Sequence, residues 1–151
     1  MTLTAFDIAQ RYVGLVREVA GPGRDHPFIQ WCLSLCFDGQ LDLPDETPWC
    51  SAFAQHPAWE LRLPRSKSAR ARSWLLVGTP VPLAEAQRGN DVVVFNRGGN
   101  PDPAVIQGPG HVAYFAALED DSVIVAGGNQ GNSVSLARFP AASVLGVRRL
   151  A

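Results

Sequence analysis

The hydrophobic period changes once along this chain, and that change limits the possible folds more than any other feature. In the first half, Phe6, Ala9, Val13, Val16 and Ala20 recur at helical spacing, as on a helix with one buried stripe. Gly21-Pro22-Gly23 should stop that helix. Asp25 or His26 can cap a second helix, with Pro27 in its first turn, running through Trp31 and Leu35 to Gly39. Thr47-Pro48 opens a third helix, which Pro57 should end or kink. Ser66 or Ser68 opens a fourth, carrying Ala71, Trp74 and Leu75 to Gly78. From Asp91 onward the period shortens. Asp91–Phe95, His111–Ala117, Ser122–Ala126, Ser133–Ala137 and Val144–Leu150 are short β-rich runs separated by Gly, Pro, Asn and Asp. Helices followed by strands predict an α+β fold, with N-terminal helices packed on a C-terminal antiparallel sheet of about five strands. The connection from Asn96 to Gly110 holds four glycines and three prolines and should be an irregular surface loop.

A length of 151 residues suits a single domain, 1–151. Thirteen basic and 14 acidic side chains leave a net charge of −1, so nothing pulls the chain toward nucleic acid or anionic lipid. The longest apolar runs, such as Trp74–Val77 and Val92–Phe95, are far shorter than the ~20 residues that span a bilayer. Asp7, Gln10 and Arg11 interrupt the N-terminal stretch where a signal peptide needs unbroken apolar residues. The expectation is a monomer, cytoplasmic as synthesised, with no nucleic-acid partner and no membrane insertion. Three cysteines, an odd number, argue against a disulfide framework. Cys32 and Cys36 lie one helical turn apart and read as buried filler, with no zinc-ligand spacing around them.

Cys50 falls in the first turn of the third expected helix, after Thr47-Pro48-Trp49. Free N–H groups and the helix dipole favour an anion there, which lowers a thiol pKa and suits a nucleophile. A buried core thiol is the competing reading. His111 follows Gly108-Pro109-Gly110 and opens the alternating run His111-Val112-Ala113-Tyr114-Phe115. From the mouth of a strand an imidazole can reach a helix N-terminus and act as general base, or it can be a surface loop histidine. His26 reads better as a helix-entry residue and His56 as a helix-end residue. Asn129 lies in the turn Gly127–Asn132, where it either accepts a hydrogen bond from the imidazole or serves only as a turn residue.

Six segments carry a family resemblance: DETPWCSAF (45–53), SARARSWLLVG (68–78), GNDVVVF (89–95), GHVAYF (110–115), GGNQGN (127–132) and VLGVRRL (144–150). In this order they resemble the NlpC-like and CHAP-type cysteine peptidases, papain-like enzymes that cut the peptide part of bacterial peptidoglycan. The resemblance runs from about Phe6 to Leu150. It implies a papain-like fold, Cys50 as nucleophile, His111 as general base and Asn129 as the residue orienting His111, with Gln130 as a neighbouring candidate. Trp49 and Tyr114 would line the peptide groove, with Gln130 beside them, unless the two aromatics are core residues. It further implies a peptidoglycan amidase or endopeptidase of phage-lysin type, reaching the wall through a holin-like pore or a secretion system. Two departures stand out: His56-Pro57 interrupts the helix after the cysteine, and Asn90 replaces the family's usual Asp. Some relatives bind calcium through acidic residues near the nucleophile. Asp42, Asp45 and Glu46 lack the alternation of a calcium loop, so neither metal nor cofactor is expected. The competing functions are a papain-like toxin or acyltransferase acting on a non-wall amide, and a catalytically inactive wall-binding module.

Overall fold

The computed structural model describes residues 2–19, 26–36 and 48–151. The expected stops at Gly21-Pro22-Gly23 and Gly39, the Thr47 cap, and Asp42, Asp45 and Glu46 lie outside the described residues. The protein is α+β. Helices α1 (Ala5–Gln10), α2 (Pro27–Ser34) and α3 (Cys50–Glu60) and a 3-10 helix (Ala71–Leu76) precede a six-stranded sheet. The strands are β1 (Thr79–Val81), β2 (Asp91–Asn96), β3 (Gly110–Glu119), β4 (Ser122–Gly127), β5 (Ser135–Pro140) and β6 (Val144–Arg149). Their order is β1-β6-β2-β3-β4-β5, and every neighbouring pair is antiparallel. No helix among the described residues is long and apolar enough to cross a membrane.

The five expected strands are all present, and β1 is the one that sequence reading missed. It is three residues long and contains Pro80, which removes a ladder donor and confines such a segment to a sheet edge. The helical half needs more correction. Thr4 and Asp7 form a capping box that starts α1, but the helix ends after Gln10 instead of running on through Val13 and Val16. Gly14 adopts φ +80, and the chain then extends so that Arg17 bridges Ser133 and Val16 O accepts from Val134 N at 2.9 Å. Val16 is therefore buried from an extended segment, not from a helix. His26 caps α2, its Nδ1 accepting from Phe28 N at 3.1 Å. The fourth expected helix is a 3-10 helix that begins at Ala71.

Pro57 does not end α3, which continues to Glu60. A mid-helix proline costs about 3 kcal/mol. Here every residue from Cys50 to Ala58 is buried, so packing on all sides offsets that loss. Segment 65–74 is fastened to α3 by polar contacts. Trp74 Nε1 donates to Ser51 Oγ at 2.9 Å, Ser51 Oγ donates to Ser68 O at 2.6 Å, and Gln55 Nε2 donates to Ser66 Oγ at 3.0 Å.

Both faces of the sheet are apolar. Val92, Val94, Val112, Tyr114 and Ala126 pack against the helices with Phe6, Ile29, Phe53 and Trp74. Val93, Phe95, Ala113, Phe115, Val123, Val125 and Val147 form a second core on the opposite face, with Phe139 of β5 packed against it. In a flat sheet β5 would lie about 14 Å from β2, three strand spacings away. The Phe95 and Phe139 ring centroids are 4.9 Å apart, so the sheet curls around this second core.

The 97–109 connection is irregular, as expected, but it is anchored from below. Arg72 of the 3-10 helix is completely buried. Its guanidinium donates to Pro109 O (3.0 Å), Val105 O (2.9 Å), Asn100 O (2.8 Å), Asp102 O (3.4 Å) and Asn96 Oδ1 (2.8 Å). Gly108 lies flat on it: a Cβ there would stand 2.9 Å from Arg72 Cζ. The loop that leads into His111 is thereby fixed by a residue distant in sequence.

Candidate active site

Cys50, and not Pro48 as expected, is the first residue of α3, with Trp49 in the capping position and no side-chain cap. It lines a cleft of about 610 Å³ together with Arg70, Arg97, Pro109, Asn129 and Asn132. The backbone N–H groups of Val112, Ser51 and Cys50 itself face the thiol and favour its anion, as does the charge of Arg97. Burial nevertheless dominates and pushes the thiol pKa up. This corrects the expectation that a first-turn position lowers it, because desolvation of a thiolate outweighs a few aligned dipoles. Cys32 is also buried, and its thiol is likewise pushed up, with Cys36 adding to the effect.

His111 is the second residue of β3, opposite Phe95 of β2. Its ring lies on the curled face, against Phe139 at a centroid distance of 5.0 Å. Cys50 belongs to the helix-side core and meets β3 at its backbone. The two side chains thus lie on opposite faces of β3 and are not hydrogen-bonded, and His111 Nδ1 has no partner among the described residues.

The acceptor for His111 is Gln130, not Asn129: His111 Nε2 and Gln130 Oε1 are 2.8 Å apart. Gln130 Nε2 donates to Ser135 O at 2.8 Å, which assigns the amide orientation and turns the oxygen toward the imidazole. His111 then carries its proton on Nε2, and Nδ1 presents a bare lone pair. Asn129 sits in the same turn with φ +56 and lines the cleft instead. Gly128 lets the turn approach α3 closely, since a Cβ there would lie 2.5 Å from the Trp49 ring and 2.7 Å from Phe53 Cβ.

Trp49 and Tyr114 are completely buried and line no groove. Trp49 Nε1 donates to Glu18 Oε1 at 2.7 Å, and Tyr114 Oη donates to Ala54 O at 2.6 Å. Both polar tips are satisfied inside the protein, which makes these residues supports for α3. Among the described residues no three His, Cys, Asp or Glu side chains group as a metal site. Sequence reading also missed Arg72 and Arg97, because a single arginine carries no periodic signal.

Burial lowers the His111 pKa to about 4, with the Gln130 hydrogen bond opposing the shift and Arg97 adding to it. An unfolded histidine titrates near 6.5. Between those values the unfolded chain binds more protons, so the stability contributed by neutral His111 is complete above pH 6.5 and is lost as pH falls toward 4. The loss should reach about 3 kcal/mol. Urea unfolding at pH 7 and pH 4.5 should show this excess acid sensitivity in the wild type and not in His111→Gln. Equal pH dependence in both would mean that His111 is not held neutral by the fold.

No protein-family model and no curated protein matches the chain.

Proposed function

We propose that the protein is a papain-like cysteine hydrolase that cleaves an amide bond in the stem peptide of bacterial peptidoglycan. The observation that carries the reading is Cys50 at the first position of α3, lining an open cleft and facing the Val112 N–H of β3, next in sequence to His111, whose Nε2 pairs with Gln130 Oε1. The six resembling segments support the substrate class. Cys50 and His111 rest as neutral groups at pH 7, given the upward shift of one and the downward shift of the other. Proton transfer then accompanies attack: Nδ1 takes the thiol proton as sulfur bonds to the scissile carbonyl carbon. The N–H groups of Cys50 and Ser51 at the helix start are suited to the developing oxyanion. His111 next protonates the leaving amine, and water, deprotonated by His111, releases the acyl group. Nucleophile–base contacts are often long in unliganded enzymes and tighten when substrate binds. The route to the wall, through a pore or a secretion system, belongs to the same proposal.

Mass spectrometry of purified peptidoglycan incubated with the protein tests the reading. New amino termini should appear and identify the bond; intact stem peptides would overturn it. One observation favours a second reading, an inactive wall-binding module: the buried Cys50 thiol makes no hydrogen bond to His111. Wall sedimentation of the protein without any new amino termini would select it.

Gln130→Ala should lower turnover by roughly 10- to 1,000-fold, since the orienting residue sets tautomer and geometry without making bonds. Asn129→Ala should mainly cost stability, about 1–2 kcal/mol, because alanine is penalised in the left-handed region. Turnover per folded molecule, measured with melting temperature on the same samples, ranks the two. The opposite ranking would return the orienting role to Asn129.

A further inference from the structure

Arg70 and Arg97 stand on the walls of the Cys50 cleft, both exposed. Neither guanidinium is engaged by a hydrogen bond or ion pair among the described residues, whereas Arg72, Arg148 and Arg149 are all held by protein acceptors. Among the described residues no acidic side chain lines the cleft; its other polar walls are Asn129 and Asn132. The charge of Arg97 is felt at both Cys50 and His111, and Arg97 lines the same cleft as Cys50. Two cations at the nucleophile's cleft, with no anion among the described residues to neutralise them, suit an anionic group on the ligand.

Resting on the hydrolase reading, we infer that the cleft selects peptides bearing a free carboxylate next to the scissile amide, with Arg97 and Arg70 as its recognition groups. A guanidinium offers a planar fork of donors that matches a carboxylate bidentately. A carboxamide of the same size presents one acceptor oxygen and no charge, so it loses the ion pair and one of the two hydrogen bonds. Discrimination of about tenfold is the scale expected for one charge-assisted hydrogen bond. The preference should also shrink as salt rises, because the contact is made at an open cleft.

The test uses two synthetic stem peptides that differ only at D-glutamate, one with its free α-carboxylate and one with the carboxamide. Wild type should cleave the acid with kcat/KM about tenfold above the amide. Arg97→Gln should bring that ratio close to 1, mostly through KM, and Arg97→Lys should keep part of it. The ratio is the readout because losing Arg97 also alters the field at Cys50 for both peptides. A wild-type ratio near 1, or a ratio untouched by both Arg97→Gln and Arg70→Gln, overturns the inference. Calorimetric binding of the same two peptides to Cys50→Ala separates this inference from the hydrolase reading. If wild type cleaves neither peptide, yet Cys50→Ala binds the acid in preference and Cys50→Ala/Arg97→Gln does not, the carboxylate site stands and the hydrolase reading falls. Equal binding of acid and amide overturns the carboxylate site whatever the cleavage result.

Discussion

Cys50→Ala should reduce peptidoglycan cleavage by at least about 10⁴-fold and leave the protein folded. Alanine keeps the small apolar body at the first position of α3 and removes only the sulfur that faces Val112 N–H and the cleft. The void is small, and alanine is the best helix former, so the stability cost should stay near 1 kcal/mol. The chemical cost is far larger. Removing a nucleophile leaves only binding and oxyanion stabilisation, and losses of roughly 10⁴ to 10⁶ in kcat follow in enzymes of this type. Release of amino termini and melting temperature, measured on one preparation, check both halves. An active Cys50→Ala protein would mean that the thiol does not attack. His111→Ala should lose a similar factor in rate but more stability, since it empties a site packed against Phe95 and Phe139.

Arg72→Met should destabilise the protein by about 4 kcal/mol or more, the largest stability loss expected from any one substitution outside the apolar core. Methionine can fill the space, but four carbonyls and Asn96 Oδ1 lose the guanidinium together, and Val105 O and Asn100 O have no other donor among the described residues. Each unsatisfied buried acceptor costs about 1–3 kcal/mol, and water can relieve only those near the loop surface. Arg72→Lys should lie between wild type and Arg72→Met, because an ammonium offers three donors from one point and cannot span the same set of acceptors. Urea unfolding gives the order. If Arg72→Met does not fold, the loss in Arg72→Lys still measures the effect. A shift under about 1 kcal/mol in both variants would mean that the 97–109 loop is held by other contacts.

Local features of the chain determined a good deal. The switch of hydrophobic period at Asp91 was enough for the α+β class and for five of six strands, because burial on a sheet imposes alternation over adjacent residues. The positions of Cys50 at a helix start and His111 at a strand start were legible for the same reason: Pro48 and Gly110 are breakers beside periodic runs. Where the sequence reading failed, neighbours in space outweighed neighbours in sequence. The α1 periodicity ran past Gln10 on paper, but Gly14 and the bridge from Arg17 to Ser133 turned Val16 into an extended core residue. Pro57 breaks an isolated helix, yet α3 is buried on all sides and holds together.

The site divides along the same line. Asn129 and Gln130 are adjacent polar residues in one turn, and nothing in their order says which reaches the imidazole. The left-handed backbone at Asn129 points it into the cleft, and the β3–β4–β5 register carries Gln130 to His111. The sign of the Cys50 pKa shift was settled in the same way. A helix N-terminus is visible in a sequence, but the depth at which it is buried is not, and desolvation grows with that depth. Arg72 shows the extreme case: its five acceptors lie 24 to 37 residues away, so only the folded chain brings them within reach of one guanidinium.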